Sequence, residues 1–238
     1  GHLSRAGSAR GRSDRPADVA STRRNEGFRA FKLKIGFGKE RDVANVAALR
    51  TALGDGVDMM VDANQAWSVE TAIDMARALE PFYIAWLEEP LRVDRPWSEW
   101  RTLREQTSIP LAAGENLAGD AGFDAALAAK VLSVVQPDIA KWGGFTRGVP
   151  VARRITAAGV RFCPHWLGGG IGLLASAHVL AAVGGGGMLE VDANPNPLRA
   201  ATCGPLATVT DGCGVLNNRP GLGIEPDLAG LQAYAVAL

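Results

Sequence analysis

Three observations predict an α/β protein with a parallel sheet, either a β/α barrel or a doubly wound sheet. Short apolar runs rich in β-branched residues alternate with helical stretches along most of the chain. The runs suit strands covered by helices on both faces. Polar residues gather where the runs end. The phosphate-binding pattern G-x-G-x-x-G, expected after the first strand of a dinucleotide-binding sheet, is missing.

The elements follow in order. Residues 1–15 carry Arg5, Arg10, Arg12 and Arg15 and no large apolar residue except Leu3, so an irregular, disordered start is expected. FRAFKLKIG (28–36) reads as a strand ending at Gly36. Val43, Val46, Leu49 and Leu53 then recur at helical spacing. VDMMVDAN (57–64) reads as a strand, and Ser68 is placed to cap the next helix. YIAWLEEP (83–90), IPLAAGEN (109–116), VVQPDIAK (134–141), GVRFCPH (159–165) and MLEVDAN (188–194) repeat the pattern, with helical segments between them.

Composition narrows the function classes. The 238 residues carry 25 Lys+Arg against 25 Asp+Glu, a net charge of zero, which gives no footprint for nucleic acid or an anionic membrane. The 47% hydrophobic content supports a core. No apolar run approaches the roughly 20 residues of a membrane span. Three cysteines, none in a C-x-x-C pair, point to a reducing compartment, the cytoplasm.

The strand ends carry the chemistry. Lys32 and Lys34, Asp62 and Asn64, Glu88 and Glu89, Glu115 and Asn116, Asp138 and Lys141, His165, and Glu190 recur one βα unit apart. In a barrel such ends converge on one mouth. Asp62, Glu88 and Glu115 come from successive strands, and an all-oxygen set suits a hard cation, Mg²⁺ first. The bland alternative is a row of unrelated surface acids. Glu89 can replace Glu88, because neighbours on a strand face opposite sides. Lys32 and Lys34 share a face, the interior one, where burial and mutual repulsion are expected to lower a lysine's pKa and make a base. Asp138 and His165 lie on neighbouring strands, and a carboxylate beside an imidazole makes a second base. Cys163 reads as a small interior filler, and Trp166 as packing or as pocket lining.

These residues resemble the enolase superfamily, specifically its mandelate racemase-like subgroup. The resemblance rests on FKLKIG, VDANQAW, WLEEP, AAGEN, QPDIAKWGG, CPH and LEVDANPNPL, with PGLGIEPD later in the chain. It implies a TIM-type barrel over residues 16–238, C-terminal tail included, and a Mg²⁺ site at Asp62, Glu88 and Glu115. It implies Lys34 as first base, and His165 oriented by Asp138 as second base. Lys32 and Glu190 would hold the substrate carboxylate, and Asn64 would line the site. Asp138 stands where the muconate-lactonising branch carries a lysine, which favours the racemase and acid-sugar dehydratase branch. Lys141 is read as structural.

The reaction implied is abstraction of a proton α to a carboxylate through an enediolate. Dehydration of a sugar acid is the first expectation, and racemisation or epimerisation of a 2-hydroxy or related acid the second. A third expectation is a non-catalytic truncated fragment, because the family's first barrel strand and its N-terminal α+β capping domain are not recognisable here. The resemblance also implies a homo-oligomer acting on a small carboxylate, with no nucleic-acid or membrane partner.

Overall fold

The computed structural model describes residues 2–3 and 16–236. Among them, seven strands form one parallel sheet in sequential order. They are β1 (His2–Leu3), β2 (Ala30–Lys34), β3 (Asp58–Asp62), β4 (Leu87–Glu88), β5 (Leu111–Ala113), β6 (Val134–Val135) and β7 (Arg161–Phe162). The connections are helical: α1 (Pro16–Asn25), α2 (Lys39–Leu53), α3 (Val69–Leu79), α4 (Trp97–Glu105), α5 (Gly119–Ala129) and α6 (Gly144–Ala157), with α7 (Gly170–Val183) after the last strand. Ser68 caps α3 as expected, its side chain accepting from Thr71 N at 3.3 Å.

Side-chain alternation divides the sheet into two faces. Phe31, Leu33, Val61, Leu87, Leu111, Val135 and Phe162 point outward into the core shared with the helices, meeting Leu49, Trp100, Leu103, Val151 and Ile155. The residues between them point the other way. Met60, Trp86, Ala112, Val134 and Cys163 form a second buried cluster, with Ala30 and Met188 packed on it. A flat sheet cannot bring one face of six strands into one small cluster. The sheet is therefore curled, and this cluster fills the inside of the barrel.

Register sets the depth of each interior residue. Lys34 pairs with Asp62, and Asp62 with Glu88. The apolar cluster lies one pleat below, so charged side chains occupy the carboxyl end and apolar ones seal the floor.

The two ends of the chain's sheet depart from the sequence expectation. His2–Leu3 pairs in parallel with Lys32–Leu33, so a two-residue strand stands where no first strand was recognised. The remainder of the expected irregular start, residues 4–15, lies outside the described residues. The run at 188–194, expected as a strand, holds only an isolated bridge at Asp192. It lies beside β7, where Met188 N donates to Cys163 Sγ at 3.3 Å, and reaches β2 through Glu190. No helix among the described residues is long and apolar enough to cross a membrane.

At the opposite face of the barrel, Arg50 of α2 ties loops together. Its guanidinium donates to the carbonyls of Phe82, Gly54, Val57 and Tyr83 while only 8% exposed.

Candidate active site

The carboxyl ends of the strands bring the predicted residues together. Asp62, Glu88 and Glu115 offer oxygens that all lie within 4.8 Å of one another, and all three side chains are buried. Asp62 ends β3 and Glu88 ends β4. Glu115 follows β5 across Gly114, at φ +149°. A Cβ on Gly114 would fall 2.4 Å from Gln136 N, so only glycine lets the chain pass this close to the next strand.

Cations surround the three acids. Lys32 Nζ lies 2.6 Å from Glu88, 2.9 Å from Glu190 and 3.9 Å from Asp62. Lys34 Nζ donates to Asp62 Oδ2. At the other end, His165 Nε2 is 2.7 Å from Glu115 Oε2, and its Nδ1 is 2.7 Å from Asp138 Oδ2. Asp138 is fixed in turn, its Oδ1 accepting from the backbone of Ala140 and Lys141. Lys34 thus touches the Asp62 end of the acid row and His165 the Glu115 end.

The electrostatics follow from this crowding. Burial pulls Lys32 down, but the facing carboxylates of Glu190, Glu88 and Asp62 outweigh it and raise its pKa. The lowered pKa expected from two adjacent lysines does not occur there, because acids rather than the second lysine dominate its surroundings. Burial opposes protonation of His165, yet its contacts with Asp138 and Glu115 push it up to about 9. Burial pushes Glu115 up, and His165 and Lys141 more than reverse this, leaving it at about 2. Burial, with Glu115 next to it, pushes Glu89 up to about 7. Glu88 is also raised, by burial first, against the pull of Lys32.

Other expected residues take subtler places. Glu89 turns from the acid row, and Asn116 Nδ2 donates to its two oxygens at 3.0 and 2.8 Å. Glu88 therefore joins the row and Glu89 does not. Asn64 is exposed and at φ +47°, and its backbone N–H donates to Asp62 Oδ1 at 2.8 Å. Lys141, read as structural, reaches Glu115 Oε1 at 3.3 Å and belongs to the rim of the site. Trp166 lies over Gly168 and Gly172 and donates to Gly169 O, so it packs against the start of α7.

Two interior residues escaped the sequence reading. Gln136 Nε2 donates to Glu88 Oε2 at 2.6 Å, and Trp86 Nε1 to the same oxygen at 3.2 Å. Alternation from interior Val134 would have pointed Gln136 inward.

The donor set fits a divalent cation. Its ligand atoms are carboxylate oxygens, the choice of Mg²⁺. Three buried carboxyl groups with oxygens within 4.8 Å of one another repel when ionised, a repulsion a cation would offset.

Comparison with known proteins agrees with this geometry. A family described as Enolase C-terminal domain-like matches residues 15–230. A D-galactarolactone cycloisomerase from Agrobacterium fabrum is 36% identical over 223 residues, covering 89% of this chain and 59% of the relative. Other relatives are named arabinonate dehydratase and D-galactonate dehydratase. A solved mandelate racemase/muconate lactonizing enzyme from Bordetella bronchiseptica RB50 superposes with a TM-score of 0.90 at 53% identity, over 93% of this chain and 62% of that one. An L-talarate dehydratase from Polaromonas sp. JS666, solved with Mg and L-glucarate, superposes with a TM-score of 0.81 at 29% identity, over 98% of this chain and 62% of that one. The chain thus spans about three-fifths of the length of each of these three proteins.

Proposed function

The chain belongs to the enolase superfamily, as a mandelate racemase-like member with the enolase C-terminal domain-like barrel, and from that premise we propose that it dehydrates a sugar acid by Mg²⁺-assisted removal of the proton α to the carboxylate. One observation carries the reading: the row of Asp62, Glu88 and Glu115 runs from Lys34 at one end to the His165–Asp138 pair at the other.

Asp62, Glu88 and Glu115 would hold Mg²⁺, whose Lewis acidity would offset the charge that builds on the substrate carboxylate. Lys32, kept protonated by its acids, and Glu190, able to hydrogen-bond when protonated, would hold that carboxylate. Lys34 would accept the α-proton on its amine. The β C–O bond then breaks, and His165 gives its proton to the leaving hydroxyl, which departs as water. The enol left behind tautomerises to a 2-keto acid.

The state of His165 favours dehydration over racemisation. An imidazole raised to about 9 is protonated near neutrality, as a general acid must be, whereas a racemase needs it neutral in one direction. A second reading, cycloisomerisation, draws on the name of the Agrobacterium fabrum relative. Racemisation or epimerisation of a 2-hydroxy acid uses the same two bases and stands third. A small-molecule acid as the sole partner, a homo-oligomer and a cytoplasmic setting complete the proposal.

The test is a panel of sugar acids incubated with the chain and Mg²⁺ in D₂O. Formation of 2-keto acid, abolished by Lys34→Ala and by His165→Asn, supports the reading. Deuterium incorporation at the α-carbon with no keto acid refutes dehydration in favour of racemisation. No reaction and no exchange across the panel counts against catalysis by this chain.

A further inference from the structure

Glu88 is as buried as Asp62, at 1% exposure, and both its oxygens already carry hydrogen bonds. Lys32 donates to Oε1 at 2.6 Å. Oε2 accepts from Gln136 at 2.6 Å and from Trp86 at 3.2 Å. Trp86 stands two residues before Glu88 on the same interior face, so its indole N–H comes from the floor of the barrel. Gln136 comes from β6, two strands away from β4, and reaches Glu88 past β5.

That reach depends on Gly114. Where β5 approaches the Gln136 backbone, it carries no side chain, and a Cβ there would meet Gln136 N at 2.4 Å and Gln136 C at 2.8 Å. The amide's orientation is fixed by its two ends. A carboxylate oxygen accepts only, so the NH₂ must face Glu88. Gln136 Oε1 is buried with no hydrogen-bond partner among the described residues.

We infer that Gln136 and Trp86 are positioning residues for the cation site: they pin Glu88 Oε2 from below, so that the carboxylate presents its remaining lone pairs toward Asp62 and Glu115. The inference rests on the Mg²⁺ reading above. A carboxylate held by two further donors keeps its angle, whereas one held by Lys32 alone is free to swing about a single contact. Partners of this kind, behind a ligand, typically alter metal affinity by about 10- to 100-fold.

The test uses Mn²⁺, which substitutes for Mg²⁺ at oxygen sites and whose free-ion EPR signal disappears on binding. Three proteins are titrated: the unaltered chain, Gln136→Met, and Trp86→Phe, which removes the indole N–H but keeps an aromatic ring. Thermal melts in EDTA report the fold separately. The expected result is Mn²⁺ affinity about 10- to 100-fold weaker for Gln136→Met and several-fold weaker for Trp86→Phe, with metal-free melting within a few degrees of the parent. Gln136→Met within twofold of the parent overturns the inference. If Gln136→Met gives no cooperative melt, Trp86→Phe decides, and parental affinity there overturns it. An unaltered chain that binds no Mn²⁺ overturns the cation reading itself, and this inference with it.

Discussion

His165 makes the stability of the metal-free protein depend on pH in a way that can be calculated. Its ring is 5% exposed and lies between Asp138 and Glu115, 2.7 Å from each. Those contacts raise it from an ordinary 6.5 to about 9. At about 1.4 kcal/mol per unit, the shift amounts to about 3 kcal/mol of stability. The folded pKa lies above the unfolded one, so the contribution is complete below pH 6.5 and is lost as pH rises through about 9. The depression of Glu115 to about 2 reports the same contact from its other side and is not added. The assay is urea unfolding in EDTA, at half-unit steps from pH 6 to pH 10, for the parent and for His165→Gln. Glu89 is buried in both proteins and largely cancels, so the difference between the two curves reads the imidazole together with the Glu115 and Asp138 carboxylates it contacts. It should shrink by about 3 kcal/mol across the interval. Parallel curves, or a difference that grows with pH, would refute the reasoning.

Other expected outcomes are independent of that pair. Leu111→Ala removes a fully buried side chain between sheet and helices and should cost about 2–5 kcal/mol, read as a lower urea midpoint at unchanged slope. Arg50→Met leaves the carbonyls of two loop segments, 54–57 and 82–83, without their donor and should cost about 1–3 kcal/mol by the same measurement, against a surface control such as Arg92→Met within about 0.5 kcal/mol. Gly114→Ala forces a Cβ against Gln136 and should lower the melting temperature by several degrees. With a thiol reagent at pH 8, exposed Cys213 should react at once. Cys163, buried and pushed up to about 11, should react only after unfolding; equal rates would contradict its interior place.

The barrel was legible where a residue's own strand fixes its direction. The two-residue spacing of Lys32 and Lys34 put both inside, and the apolar runs before Asp62 and Glu88 put those acids at strand ends. What stayed hidden depends on neighbours distant in sequence. Lysine spacing alone suggests repulsion, but Lys32 faces Glu190, Glu88 and Asp62, which reverse the direction of its shift. Gln136 lies in a run whose aspartate drew the attention, and its partner Glu88 lies two strands away. Asn116 decides between Glu88 and Glu89 by engaging the latter, a contact no local pattern announces. The run at 188–194 has strand-like composition, yet among the described residues it holds only a single bridge, at Asp192.

The central claim is that Asp62, Glu88 and Glu115 form a divalent-cation site in this chain. Thermal unfolding against increasing Mg²⁺ tests it most directly, with Asp62→Asn and Glu115→Gln as controls. A ligand that binds only the folded state raises the melting temperature with concentration. The account predicts a saturable rise that both substitutions abolish. A cooperative melt indifferent to Mg²⁺, or a rise that survives both substitutions, would contradict it.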